Sequence, residues 1–257
     1  MPAKMPPLRP RTETVNGIPP VAKNVVCMKW GDKYEPEYVN KLCRMVKRHC
    51  THDVRVICLT DDSTGIEAPV ETFAIPRLPE PLEQRVSPWR KLGLYAPELS
   101  FIEGTVLFLD LDVVIVGSID AFFEIEGDFL IIENWTQKGR GIGNSSVLRF
   151  ERGKYSYIYE NAVARGGALI KEFRNEQIFV SHMVEEKRYW PRAWCRSFKE
   201  ELKPAFPVNL LSPPRLPADA RIVVFHGFPN PPEAQRYGPL NPRKFFRPAP
   251  WIEEHWR

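Results

Sequence analysis

A chain of 257 residues with 43% hydrophobic content is long enough for one sizeable α/β domain, with or without a small appendage, and short for two. Its 36 basic and 32 acidic residues leave a net charge of +4, too small an excess to indicate nucleic acid and compatible with a phosphorylated small-molecule ligand. Cys27, Cys43, Cys50, Cys58 and Cys195 show no C-x-x-C spacing and fall in apolar helix-like or strand-like settings, which argues against zinc and for buried free thiols.

In chain order, residues 1–22 are proline-rich and lack the apolar core of a cleavable signal, so they read as a disordered tail. No apolar run approaches the length of a bilayer span, and with reduced thiols this points to a cytoplasmic setting. Residues 23–257 then form one domain. Asn24 to Met28 reads as a buried strand, and Tyr38 to Cys50 as a helix with Val39, Leu42, Cys43 and Val46 on one face. Val54 to Thr60 is a second strand ending in Asp61-Asp62, and Ser87-Pro88 opens a helix presenting Val86, Trp89, Leu92, Ala96 and Leu99. Thr105 to Asp110 is a third strand, Ser118 caps a short helix through Ile125, and Asp128 to Glu133 is a further strand. This alternation predicts a Rossmann-like, mostly parallel sheet flanked by helices.

Beyond it the pattern loosens. Ser145 to Phe150 is a candidate strand, Tyr155 to Ala164 and Asn175 to Glu186 are helical, and Arg221 to Gly227 is one more buried strand. Gly139, Gly141 and Gly143 imitate part of a dinucleotide fingerprint without a surrounding βαβ unit, and read as a flexible loop. Asn144-Ser145-Ser146 has the form of a glycosylation sequon, which means nothing without secretion. Prolines from Pro191 onward predict a loop-rich last third. The segment Glu185 to Lys203 mixes cations with Tyr189, Trp190, Trp194 and Phe198. An acceptor cleft or a membrane-surface patch is one reading, and aromatics packed inward is the favoured one.

The informative stretch is VLFLDLDVVIVGSID, Val106 to Asp120, an apolar run interrupted by Asp110 and Asp112. Each carboxylate costs several kcal/mol if desolvated without a partner. Ligands of open α/β sheets collect at the carboxyl ends of strands, and Asp112, two residues beyond Asp110, points the same way if the backbone stays extended. Two hard oxygen donors there suit a divalent cation held against a diphosphate.

Strand-DxD in FLDLDVVIVGSID, preceded by SPWRKLGLYAPEL and followed late in the chain by VVFHGFPNPPEA, resembles the GT-A glycosyltransferases, most of all the retaining glycogenin and bacterial galactosyltransferase type. The resemblance runs from about Val25 to Pro232. It implies a UDP-sugar donor, a carbohydrate or glycoconjugate acceptor and a manganese or magnesium ion. It assigns the metal to Asp110, Asp112 and His226. Nucleotide contacts fall to Lys29, Trp30, Asp61, Asp62, Leu111 and Gly227, and the diphosphate to Arg90 or Lys91. Asn144 and the pair Glu176-Gln177 take the sugar-binding and catalytic positions, Glu176 one methylene longer than the usual aspartate. Ser146 and Asn230 depart from the family's glycine and lysine. Two rivals remain: a haloacid dehalogenase-like phosphatase using Asp110 as nucleophile and Asp112 as general acid, and a nucleotide-sugar binder without catalysis. Peripheral membrane contact stays open.

Overall fold

The computed structural model describes residues 22–84 and 87–257. The proline-rich tail, apart from Ala22, and Val86 of the second expected helix therefore lie outside the described residues.

Four strands run parallel at one side of a seven-stranded sheet: β1 (Lys23–Lys29), β2 (Arg55–Thr60), β3 (Glu71–Ala74) and β4 (Thr105–Leu109). Between β1 and β2 the chain crosses over as α1 (Pro36–His49), whose proline supplies a preset φ at the first turn. After β4 come β5 (Val113–Ile115), α2 (Ala121–Glu124), β6 (Phe129–Glu133) and β7 (Gly143–Glu151). Strand β7 lies between β4 and β6 and is antiparallel to both. The large sheet has the order β3-β2-β1-β4-β7-β6-β8, with β8 (Arg188–Tyr189) parallel to β6. A second, three-stranded sheet has the order β5-β10-β9, from β9 (Cys195–Ser197) and β10 (Ile222–Val224).

The period of two along the central strands divides the core. Val25 and Cys27 of β1 face α1 and the small sheet, whereas Val26 and Met28 face the opposite layer. That layer holds a 3-10 helix (Pro88–Tyr95), with α3 (Ser156–Arg165), α4 (Ala168–Glu172) and α5 (Glu176–Met183). Pro97 breaks the expected single helix after Ser87 into two 3-10 segments, the second Pro97–Leu99, while Ser87 caps Trp89 N as anticipated. Ser118 does not cap α2. Its hydroxyl accepts from Asp120 N two residues on, and the helix starts after Asp120. Gly143 belongs to β7 rather than to a loop, and a Cβ there would meet Ile131 Cδ1 at 2.6 Å, so only glycine lets β6 pass. Strand β3 and helix α4 carried no sequence expectation.

The aromatic segment after β8 packs inward. Trp190 and Phe198 are buried, and Trp190 Nε1 donates to Val147 O at 3.0 Å. Cys27, Cys43, Cys58 and Cys195 are buried free thiols, and Cys50 is half-buried. Apart from β10, the last fifty residues contain only short helices, including α6 (Pro231–Ala234) and α7 (Trp251–His255), joined by loops. No helix among the described residues is long and apolar enough to cross a membrane.

Candidate active site

Parallel pairing puts the carboxyl ends of β1, β2 and β4 on one edge. Asp110 follows β4 directly, and its backbone N–H continues the ladder to Ser146 O of β7 at 2.9 Å. The chain does not then stay extended, as the alternation argument required. It turns at Leu111-Asp112 and leaves as β5 toward the small sheet, where Phe225 N donates to Asp112 O at 2.9 Å. Asp110, Leu111 and Asp112 nevertheless line one cavity of about 640 Å³ together with Trp30, Tyr34 and Lys91.

The partners of the two carboxylates differ. Lys91 Nζ lies 2.6 Å from Asp110 Oδ1 and 2.7 Å from Oδ2, so the helix before β4 brings a buried ammonium to that acid. Burial works against the Lys91 charge, but Asp110 and then Glu176 outweigh it and raise its pKa. Asp112 is 6% exposed and accepts from Tyr34 Oη at 2.7 Å. Burial first, and the Asp110 charge second, push the Asp112 carboxyl up to about 6. A buried acid held beside another acid gains from a cation.

A second hollow of about 410 Å³ adjoins the first and shares Asp32 and Tyr34 with it. Lys29, Asp61 and Asp62 line this one. Asp61 Oδ2 accepts from Gly31 N at 3.1 Å and faces Arg90 NH1 at 3.4 Å, while Lys29 Nζ reaches Asp62 O at 3.5 Å. Lys29, Asp61, Asp62 and Arg90 thus form one charged wall, and Trp30, Lys91, Asp110, Leu111 and Asp112 another.

Glu176 stands behind the wall of Lys91 and Asp110. Ser145 Oγ donates to Glu176 Oε1 at 2.9 Å and lies 3.4 Å from Lys91 Nζ. The Glu176 carboxyl is 2% exposed and burial raises its pKa. Among the described residues, Glu176 Oε2 and Gln177 Oε1 are buried without a hydrogen-bond partner, an expensive arrangement unless a ligand supplies one. Asn144 is buried in β7 with Oδ1 accepting from Ser146 N at 3.0 Å. Ser146 itself carries the carbonyl that fixes Asp110. Asn230 N donates to Glu233 at 2.6 Å at the start of α6.

His226 follows β10, one residue beyond the backbone contact to Asp112. Its Nε2 lies 2.7 Å from Ser197 Oγ, and its ring stacks on Trp135 at 5.0 Å. Burial lowers its pKa, which keeps the imidazole neutral. Gly227 is exposed with φ of 90°, open on the side where a Cβ would stand. Among the described residues no three His, Cys, Asp or Glu side chains converge as a metal-binding group. The structure therefore brings Asp110 and Asp112 together and leaves the His226 ring on Ser197. Two hard carboxylates, one of them buried and made costly by the other, fit Mn2+ or Mg2+.

Tyr34, Ser145, Ser197 and Trp135 carried no site expectation. Tyr34 had a readable signal, since the polar stretch GDKYEP sits between a strand and a proline-started helix on the ligand-binding edge.

The fold has counterparts among solved structures. The galactosyltransferase LgtC, solved with donor and acceptor sugar analogues, superposes with a TM-score of 0.54 at 12% identity, over 81% of this chain and 88% of that one. The chain has the GT-A fold. Other similar structures are GlyE, a glycosyltransferase of Streptococcus pneumoniae, and the bifunctional glycosyltransferase WbbM. GlyE matches with a TM-score of 0.53 at 15% identity, over 82% of this chain and 56% of that one. WbbM matches with 0.54 at 12%, over 84% and 48%. No protein-family model matches this sequence. No curated protein matches it.

Proposed function

We propose that the protein is a glycosyltransferase that moves a hexose from a UDP-sugar to the hydroxyl of a carbohydrate or glycoconjugate acceptor, with Mn2+ or Mg2+ bound and with retention at the anomeric carbon. The observation that carries this reading is the pair Asp110 and Asp112 on the carboxyl edge of a GT-A sheet, with Asp112 buried at the wall of the cavity. Asp110, Asp112 and, with its ring turned from Ser197, His226 would hold the ion. A divalent cation bound there neutralises the diphosphate and stabilises it as a leaving group.

The chain's own residues supply the rest. Arg90 and Lys91 add positive charge along the diphosphate, and Trp30 and the Lys29–Asp62 wall accommodate the nucleoside. Glu176 and Gln177 present their unpartnered oxygens to sugar hydroxyls or to the reacting carbon, with Ser145 and Lys91 fixing the Glu176 rotamer. Tight placement on rigid strands and preorganised charge then account for rate without an inverting base. The phosphatase reading has less support, because the similar structures are glycosyltransferases. Ser146 and Asn230 have backbone roles that serve the fold, so their departures from the family pattern do not argue for an inactive binder.

Thermal shift against a panel of nucleotide sugars with Mn2+ tests the donor assignment. A ligand at about 100 times its dissociation constant adds roughly 2.7 kcal/mol, which for UDP-hexoses but not for other nucleotide sugars is the expected result. Stabilisation by no UDP-sugar would overturn it.

A further inference from the structure

Two segments adjoin His226, and both carry cations and no carboxylate. The first is the loop 134–142 between β6 and β7, which holds Lys138 and Arg140 and whose Trp135 ring stacks on His226 at 5.0 Å. The second is 234–250, which holds Arg236, Arg243, Lys244 and Arg247. Phe228, two residues after His226, joins that segment through its ring, whose centre lies 6.3 Å from that of Phe246. Six positive charges and no negative one thus fall beside this histidine, in a chain whose net charge is only +4. Lys138, Arg140, Arg236, Arg243 and Lys244 are all exposed, and none pairs with a carboxylate among the described residues. The acids next in the chain are already engaged: Glu133 Oε1 accepts from Gly139 N at 2.9 Å, and Glu233 Oε2 from Asn230 N at 2.6 Å. Aromatic rings stand out among these cations. Phe228 is 58% and Tyr237 63% exposed, with the Tyr237 ring stacked on Phe245 and the Arg247 guanidinium 5.9 Å from its centre. Asn209 Nδ2 fixes the backbone beneath them by donating to Pro242 O at 2.7 Å and to Phe245 O at 2.8 Å.

The chemistry of these segments selects a ligand. Exposed flat rings offer apolar faces to the C–H faces of sugars, and unpaired lysines and arginines offer charge-assisted hydrogen bonds that carboxylates accept and neutral sugars accept only weakly. The cations sit on two separate segments instead of converging on one point, which suits one negative charge per sugar ring better than a single phosphate. A second copy of this chain would set six cations against six, which disfavours self-association. We propose that the acceptor is an acidic glycan, a chain of sugars bearing carboxylates, which lies over Phe228 and Tyr237 with Lys138, Arg140, Arg236 and Arg243 along it. This occupant is an acceptor only under the transferase reading, on which the assignment rests.

Isothermal titration of the full chain, with UDP and Mn2+ present, tests it with short oligosaccharides of galacturonate or glucuronate against the same oligosaccharides with their carboxyls reduced to alcohols. The acidic form should bind on the order of 10-fold tighter than the reduced form, with the difference shrinking as salt is added. Lys138→Ala with Arg140→Ala should weaken binding of the acidic form on the order of 10-fold, and Phe228→Ala about 5-fold, with thermal unfolding unchanged in both variants. Equal affinity for the reduced form, or binding of neither, would overturn the proposal. So would equal affinity for inorganic polyphosphate, which carries charge without sugar rings, or undiminished binding by both variants. UDP release from UDP-hexoses without any acceptor separates the two claims. Release with Mn2+ but no binding of acidic glycan would sink the acceptor class and leave the transferase standing, whereas binding of acidic glycan with no UDP release under any condition would count against the transferase reading instead.

Discussion

Replacing Asp112 by asparagine is expected to stabilise the metal-free protein while removing its function. The Asp112 carboxyl is 6% exposed and its pKa stands at about 6 against an ordinary 3.8. The folded state therefore holds this proton more tightly than the unfolded chain does. Stability falls as pH rises from about 4 to about 6, and the full loss persists above that range. That difference corresponds to roughly 3 kcal/mol. Asparagine removes that cost, but its neutral oxygen accepts a weaker hydrogen bond from Tyr34, a loss of about 1 kcal/mol. The net gain is about 2 kcal/mol, or a Tm rise of about 4–8 °C for a chain of this size. Thermal unfolding followed by tryptophan fluorescence in excess chelator reads it directly. The gain should be present at about pH 8 and largely absent at about pH 3, where Asp112 is mostly protonated in both states. An asparagine variant no more stable than the parent at the higher pH, or a gain equal at both, would refute the buried, cation-seeking carboxylate.

Three further outcomes follow from the same geometry. Tyr34→Phe removes the hydrogen bond that orients Asp112 and should weaken Mn2+ binding on the order of 10-fold with little change in fold, as isothermal titration would show. Unchanged affinity would make the contact incidental. Glu176→Gln should lower turnover on the order of 100-fold and leave the nucleotide dissociation constant nearly unchanged, and NMR of the first-formed glycoside should show the donor's anomeric configuration retained. An inverted product would require a base that this site has not revealed. His226→Ala should weaken Mn2+ binding at least as much as Tyr34→Phe. A variant that loses Tm and keeps its metal affinity would leave His226 as a structural ring packed on Trp135 and bonded to Ser197.

Much of this architecture was readable from local pattern. The run of apolar residues in β1, β2 and β4 is that of strands buried on both faces, and α1 shows its one apolar face clearly. The two aspartates stood out because nothing in an apolar run explains them. What escaped was set by tertiary contact. Strand β7 reads like any other strand, and only pairing decides that it runs antiparallel between β4 and β6. Strand β3 is short and half-exposed, with little apolar signal, and is held by its partner β2. The turn at Leu111-Asp112 comes from β5 joining another sheet, a long-range preference that alternation along the chain does not encode. For the same reason Ser145 became visible only when strand β7 was brought to the carboxyl edge. His226 was picked out by its place near a strand end, and it follows β10 in the fold, while the direction of its ring depends on Ser197, twenty-nine residues earlier.

The central claim is metal-dependent transfer from a UDP-sugar at Asp110 and Asp112. Initial rates of UDP release from UDP-hexoses, measured with Mn2+, with excess chelator and with the Asp112→Asn protein, test it most directly. Release from at least one UDP-hexose with Mn2+, and none in the other two conditions, is the expected result. Undiminished release in chelator, or from the asparagine variant, would contradict it.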